Sequence, residues 1–383
     1  MPHADIGHAK ETRYCNMMNI GLVGCGNISG IYLKNLTALF GNVKLYACAD
    51  LDTEKVKAAA EKYQIPHIMT FDEMLQCEEI GLILNLTTPK SHYALSKKAL
   101  LAGKHVYVEK PLALSYKDGK ELLSIANEKG LYIGCAPDTF LGAGIQTCMR
   151  LIGEGAIGRP VAGSAFMMCR GHESWHPAPE FYYDIGGGPL FDMGPYYITA
   201  LVRLLGRAES VMAYGARAFE ERTITSEPKR GTKIPVKVDT HNAGVIRFEN
   251  GAVVTLVTSF DVWKHSMPKI EIYGTEGSLK VPDPNTFGGP VMISTMENKD
   301  YTEVPLETPY SENSRGLGLS ETVLAAGEGR INNASGALGL HVLEIMEAFV
   351  RSGKEGKMIV LESTPSDAVA LDWAVEKGAL KTK

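Results

Sequence analysis

A glycine-rich turn, Gly24-Cys25-Gly26-Asn27-Ile28-Ser29-Gly30, follows the apolar run 19–23 and opens a helix-like stretch toward Phe40. Asp50 ends the next strand-like run, 43–49. Strand, turn, helix and a later acid form the setting in which a glycine turn binds a dinucleotide. Gly24 permits the tight turn, and Gly26 lets the backbone approach a pyrophosphate. The third position of the fingerprint, where helix and strand pack closely, is Ser29, with Gly30 just after it. At Asn27 and Ile28 the helix begins, and its free N–H groups face the diphosphate. A carboxylate at Asp50 accepts the ribose hydroxyls of NAD and repels a 2′-phosphate. Leu51 and Asp52 add no arginine to neutralise that phosphate, so NAD is expected rather than NADP.

Two further clusters carry reactive types. Thr87-Thr88-Pro89 and Glu109-Lys110-Pro111 each end a strand-like run. The C-terminal edge of parallel strands is where open α/β sheets bind ligands. Thr87, Thr88 and Pro89 are expected to shape the loop under the nicotinamide. His92 either caps the following helix or contacts the cofactor. His341 and Glu344 stand three apart on a helix-like segment without a partner cluster, and no metal site is expected.

The elements that must position these residues follow from the pattern. Strand-like runs at 20–24, 43–49, 67–69, 82–86, 106–109 and 132–135 alternate with helical segments such as 53–63, 91–101 and 116–129. That alternation predicts a doubly wound parallel sheet with right-handed crossovers. A helix is expected around 141–152. From residue 161 the pattern changes to successive β-like runs at 161–169, 210–218, 242–248, 252–260, 269–273 and 278–281, separated by Gly/Asn turns. This predicts a large, mostly antiparallel second sheet with one helical insert, 193–205. Residues 283–318 read as loops and an edge, and helices are expected at 341–351 and 365–377. The domain reading is a lead-in at 1–18, a Rossmann domain at 19–138 and an α+β substrate and oligomerisation domain at 139–383, whose last helices return to the first domain.

Composition narrows the classes. The 383 residues are 45% hydrophobic and 22% charged, with a net charge of -5. That is the make-up of an ordinary globular chain, without the basic footprint of a nucleic-acid binder. No apolar run approaches a membrane span of about 20 residues. Seven scattered cysteines without a CxxC favour reduced thiols in a cytoplasm over a disulfide scaffold or a zinc site.

Four segments in order are similar to those of the Gfo/Idh/MocA family, the glucose-fructose oxidoreductase and inositol dehydrogenase group. They are the glycine turn, Thr88-Pro89-Lys90-Ser91-His92, the run Ala102-Gly103-Lys104-His105-Val106-Tyr107-Val108-Glu109-Lys110-Pro111, and Gly186-Gly187-Gly188-Pro189-Leu190-Phe191-Asp192-Met193-Gly194-Pro195-Tyr196. The resemblance implies that Lys110 is catalytic: its ammonium hydrogen-bonds the reacting hydroxyl and stabilises an alkoxide. Glu109 would orient that lysine or the nicotinamide ribose, and the Lys110–Pro111 peptide would be cis. Asp192 takes the family's substrate-binding or proton-relay position.

The family's proton-transfer histidine maps to Tyr196. A tyrosine, with a reference pKa of about 10, acts as a base only beside a cation such as Lys110; otherwise it binds a sugar hydroxyl. Another histidine is then a candidate substitute, and the segment 170–177 holds the best ones. There Trp175 offers a flat apolar face to a pyranose and His176 a hydrogen bond, or the segment is a surface loop with a packed tryptophan. Asp138 is expected on the substrate side. The family's arginine near Thr139 is absent, which suits a neutral sugar or polyol over a carboxylate.

The resemblance thus implies an NAD-dependent enzyme oxidising a secondary hydroxyl of a sugar, glycoside or cyclitol, with C3 of a glucoside the specific expectation. It also admits an NAD-retaining glycosidase and a non-catalytic NAD- and sugar-binding regulator. A homodimer or homotetramer through the second sheet is expected.

Overall fold

The computed structural model describes residues 17–367. The expected lead-in, except for its last two residues, and most of the expected helix at 365–377 lie outside the described residues. The first unit runs β1 (Met18–Val23), α1 (Ser29–Ala38), β2 (Val43–Ala49), α2 (Thr53–Tyr63), β3 (His67–Ile68), α3 (Phe71–Gln76), β4 (Leu82–Asn85), α4 (Pro89–Leu101), β5 (His105–Val108), α5 (Tyr116–Glu128) and β6 (Ile133–Cys135). The strands pair in parallel in the order β3-β2-β1-β4-β5-β6. The order reverses between β1 and β4, and their C-terminal ends open the crevice where such sheets take a dinucleotide. Central strands are apolar along their length because helices cover both faces; β4 is buried throughout. Polar caps set the helix starts: Asp52 before α2, Thr70 with Glu73 before α3, Ser115 before α5.

The second unit follows as α6 (Ala143–Gly153), β7 (Pro160–Met168), α7 (Gly188–Asp192), α8 (Gly194–Leu205), β8 (Ala208–Ala216), β9 (Glu221–Thr223), β10 (Lys233–Pro235), β11 (His241–Phe248), β12 (Val253–Ser259), β13 (Ile270–Gly274), β14 (Gly277–Val281), β15 (Val291–Thr295), β16 (Thr302–Val304), α9 (Leu317–Glu328), α10 (Gly336–Glu355) and β17 (Ile359–Val360). Nine strands form one sheet in the order β16-β15-β14-β13-β7-β12-β11-β8-β17. Only the β7–β12 pair is parallel. The region expected to be irregular does supply the edge, as β15 and β16.

Three helices depart from expectation. α3 is short, and only its capping box announces it. The expected insert at 193–205 is preceded by α7, which carries Asp192 at its end. α9 is buried on nearly every side, from Leu317 and Leu319 to Glu321 and Val323, so it presents no amphipathic stripe.

Residues 313–355 return to the first unit. Asn42 Nδ2 donates to the Ser320 carbonyl (2.9 Å), and Ser320 Oγ donates back to Asn42 Oδ1 (2.8 Å). Asn35 Nδ2 donates to the carbonyls of Asn313 and Arg315. Gly134 bridges Ser335 antiparallel, and Cys135 N donates to Ala334 O (2.9 Å), extending the sheet past β6. α10 lies against α5, α8, β6 and β8. No helix among the described residues is long and apolar enough to cross a membrane.

Candidate active site

The glycine turn is built as a cradle. Gly24 has φ +101, and a Cβ there would sit 2.7 Å from the Leu86 carbonyl group. At Gly26 nothing lies within 4 Å of a Cβ position, which leaves the space a pyrophosphate needs. Asp50 braces the turn: Oδ2 accepts from Cys25 N (2.6 Å) and Oδ1 from Asp52 N (2.9 Å). A carboxylate has about four lone-pair sites, so ribose hydroxyls can still be accepted. Open amides over α1, the cleared glycine and the acid fit an NAD molecule. Thr87 donates its hydroxyl to Asn85 Oδ1 (2.7 Å), which leaves Thr88 and Pro89 to start α4.

Lys110 follows β5 through a cis peptide to Pro111, as the resemblance implied. Its Nζ donates to the Asp192 carbonyl (2.5 Å) and to Asp192 Oδ1 (3.0 Å). The same nitrogen lies 5.2 Å from the Tyr196 ring centroid. Burial alone would lower the lysine pKa, but Asp192, Tyr196 and Glu109 outweigh it and hold Lys110 above the usual lysine value. Burial would raise Asp192, yet Lys110 and His172 bring it down to about 2. The pair is therefore an ammonium and a carboxylate at neutral pH. Glu109 supports the lysine from its main-chain side: Oε2 accepts from Lys110 N (2.9 Å) and Oε1 from Tyr32 Oη (2.9 Å).

Tyr196 is 7% exposed. Burial holds its phenol above the ordinary tyrosine pKa, only partly offset by Lys110 and Arg315. It is suited to donate a hydrogen bond and poorly suited to accept a proton. Arg315 lies against the Tyr196 hydroxyl, from the segment before α9. An arginine thus does enter the site, though not near Thr139 in sequence. Its Nη1 donates to Asn313 Oδ1 (2.9 Å) and its Nη2 to Asn285 Oδ1 (2.6 Å) and O (3.2 Å), so neutral acceptors already engage both ends.

Asp138 and His92 are both buried and held by internal hydrogen bonds. Asp138 is 1% exposed, and its Oδ2 accepts from Gly316 N (2.8 Å) and Gly318 N (3.0 Å). The carboxylate fastens the start of α9. His92 is 1% exposed, with Nδ1 2.7 Å from Pro111 O and Nε2 3.0 Å from Thr87 O. Burial lowers its pKa and favours the neutral ring, in which one of the two nitrogens donates to its carbonyl. His92 ties together the loops that follow β4 and β5. His341 and Glu344, also buried, are occupied by Ser363: His341 Nδ1 lies 2.8 Å from its hydroxyl, and Glu344 accepts its amide.

The loop 170–177 does reach the site, through a residue the sequence did not single out. His172 Nε2 lies 3.3 Å from Asp192 Oδ2. Trp175 is 60% exposed and meets the His172 ring edge-on at 5.2 Å. His176 packs on Trp175, Phe181 and Tyr182, and its Nδ1 accepts from Ala178 N (3.0 Å). Trp175 therefore offers an exposed apolar face next to His172, and His176 packs against it. The sequence pointed to the segment 170–177 as a whole, and the fold brings His172 to Asp192.

Residues 18–136 match the profile of the Gfo/Idh/MocA oxidoreductase family, NAD-binding Rossmann fold, and residues 145–280 match the Gfo/Idh/MocA C-terminal domain. An uncharacterized oxidoreductase of Schizosaccharomyces pombe is 28% identical over 53% of this chain, a stretch covering 58% of that relative's length. The D-glucoside 3-dehydrogenase of Escherichia coli is 21% identical over 92% of this chain and 100% of its own. A solved levoglucosan dehydrogenase, in complex with NADH and L-sorbose, superposes with a TM-score of 0.79 over 90% of this chain and 99% of its own, at 21% identity.

Proposed function

The chain belongs to the Gfo/Idh/MocA family of NAD-binding oxidoreductases, and from this we propose that it is an NAD-dependent dehydrogenase of a secondary hydroxyl on a sugar, glycoside or cyclitol. The observation that carries the reading is the buried Lys110–Asp192 ion pair, its lysine at the same C-terminal edge of the sheet as the glycine turn. When bound, NAD takes up the hydrogen and electron pair of the substrate C–H bond. The ammonium of Lys110 donates to the hydroxyl oxygen and stabilises the alkoxide as it forms. Asp192 fixes Lys110 and keeps it charged. Tyr196 donates a hydrogen bond to the ring substituents, and Trp175 lies under the apolar sugar face.

The finer proposal is a neutral glucoside oxidised at C3. The neutral partners of Arg315 leave it no open fork for a carboxylate, and the relative named for D-glucoside 3-oxidation aligns along its whole length. The free thiols of Cys25, Cys48, Cys77, Cys135, Cys148 and Cys169 support a reducing, cytoplasmic setting. A second copy of this chain is the proposed partner. Met212 of β8 and Val245 of β11 are directly paired and exposed on one face of the large sheet, with Tyr214 and Val253 nearby; sedimentation finding a monomer would exclude it.

The test of function is incubation of the purified protein with NAD and a panel of glucosides, inositols and free hexoses. NADH and a keto product are expected with a glucoside. Aglycone release without net NADH would replace this reading with the NAD-retaining glycosidase, and neither outcome with any compound would sink both.

A further inference from the structure

We propose that the exposed rings of the loop after β7 and of the turn 179–183 form a subsite for an aromatic aglycone, so that the substrate is an aryl glycoside. The inference rests on the dehydrogenase reading above and names its substrate class. Trp175 takes the reacting sugar ring, and Phe181 with Ile185 takes the flat group attached to it. Trp175 is 60% exposed, Phe181 50% and Ile185 68%. Single apolar residues scattered over a surface are ordinary, whereas an apolar patch with a polar rim marks a ligand site.

These rings are continuous with one another and with the site. The His176 ring is met edge-on by Trp175 at 5.3 Å and by Phe181 at 5.5 Å, so one imidazole joins the two exposed rings. Both also lead to His172. Trp175 meets its ring at 5.2 Å. Phe181 packs on Tyr182 with ring centroids 4.0 Å apart, and Tyr182 meets His172 at 4.2 Å. His172 Nε2 is in turn 3.3 Å from Asp192 Oδ2. The aromatic surface therefore starts at the Lys110–Asp192 pair and runs outward to solvent.

The rings stand on a fixed frame, which the β9–β10 hairpin supplies. From its connection, the amides of Thr225 and Ser226 donate to the Glu173 carbonyl (2.8 and 3.1 Å), Ser226 Oγ donates to the His176 carbonyl (2.6 Å), and Lys229 pairs with Glu180. From β9, Arg222 is 3% exposed and donates to Glu173 Oε1 (2.8 Å) and Asp261 Oδ1 (2.5 Å). Rings held in place beforehand lose little freedom when a ligand ring settles on them. The polar groups set the class of ligand. A second sugar would bring hydroxyls that need partners. The polar side chains that flank Phe181 in sequence are already paired: Glu180 with Lys229, Asp184 with Lys90 (2.7 Å) and Lys237 (3.1 Å), and His176 Nδ1 with the Ala178 amide (3.0 Å). What stays open is apolar, and it suits a flat aromatic ring stacked with centroids about 4.5–7 Å apart.

The experiment uses the full chain with NAD and compares kcat/KM for methyl glucoside, phenyl glucoside, cellobiose and a free inositol. The native protein is measured beside Phe181→Ala, Phe181→Tyr and Trp175→Ala, with circular dichroism to verify that each variant is folded. Phenyl glucoside should exceed methyl glucoside and cellobiose by about tenfold, the worth of one aromatic stack. Phe181→Ala should abolish most of the preference for phenyl over methyl glucoside, and Phe181→Tyr should keep it. Trp175→Ala should lower kcat/KM for both glucosides. Equal use of the two glucosides by the native protein, a preference for cellobiose, oxidation of the inositol alone, or a native preference in Phe181→Ala overturns the subsite and leaves the dehydrogenase reading standing. If the native protein oxidises nothing in the series, it is the dehydrogenase reading that has failed. The subsite is then decided by calorimetric titration of the NADH-loaded protein with phenyl glucoside. Tighter binding to the native chain than to Phe181→Ala sustains it, and equal binding or none overturns it.

Discussion

Lys110 and Asp192 are joined twice: the same ammonium nitrogen donates to the aspartate's main-chain carbonyl at 2.5 Å and to its carboxylate at 3.0 Å. A side chain from the end of β5 is thereby held by both the backbone and the side chain of a residue 82 positions later. Replacing Lys110 by Ala is expected to cut kcat/KM by roughly 100- to 1,000-fold, the cost of one donor aimed at a developing oxyanion. NAD affinity should stay nearly unchanged, since the turn that holds the dinucleotide is elsewhere. Single-turnover rates beside NAD titrations separate the two.

The pair also sets an acid limit. Asp192 falls from the ordinary carboxyl value of 3.8 to about 2 in the folded state. A carboxyl depressed by folding adds stability above its unfolded pKa and loses it as pH drops through the folded one. About 2 kcal/mol should therefore disappear between pH 4 and 2. Urea melts across that window should show a shallower loss in Asp192→Asn than in the native chain.

Asp138 behaves oppositely. Burial pushes it up to about 6, against the pull of the Gly318 amide, Arg315 and the Gly316 amide. A carboxyl raised by folding contributes stability below its unfolded pKa, and that contribution is lost as pH rises through 6. The loss is on the order of 3 kcal/mol. Asp138→Asn keeps an oxygen for Gly316 and Gly318 and removes the charge. Its stability relative to the native chain should rise as pH goes from 4 to 7, measured by denaturant melts at each pH. A flat difference would mean the buried charge is not penalised.

The two glycines of the turn should respond differently to the same change. Gly24→Ala forces a Cβ to 2.7 Å from the Leu86 backbone at φ +101 and should damage the fold itself. Gly26→Ala meets open space, so the apo protein should melt as before. Its methyl group occupies the room left for the pyrophosphate, and NAD affinity should fall by about 100-fold or more. Thermal melts with and without NAD distinguish the two.

Asp50 combines bracing and selection. Asp50→Asn can retain an acceptor for the Cys25 amide while losing the charge that repels a 2′-phosphate. The preference for NAD over NADP should narrow by about tenfold, about 1.4 kcal/mol. Comparing kcat/KM for both cofactors tests it, and an unchanged ratio would move cofactor selection elsewhere.

What the sequence made legible, and what it hid, divides by distance along the chain. The run 43–49 is β2 to the residue, because the strand is apolar and mostly buried apart from the exposed Lys44. Lys110 and Asp192 could be named because each sits in a local motif. α9 left no pattern, since a helix buried on all sides has no polar face to alternate with. Asp138 stands at the right edge of the right strand, yet the amides that capture it come from residues 316 and 318. Arg315 reaches Tyr196 from the same stretch. The segment 170–177 could be named from sequence, but that its His172 is the histidine at Asp192 is set by the fold.

The Gly134–Ser335 bridge has a consequence for the birth of the protein. Chains are made from the N-terminus, and leading domains begin to fold as they emerge. Here the dinucleotide sheet leaves the ribosome with the free edge of β6 exposed, and its covering segment is not synthesised for another 200 residues. Until then the nascent sheet carries an unpaired edge, the kind of surface on which chains join wrongly.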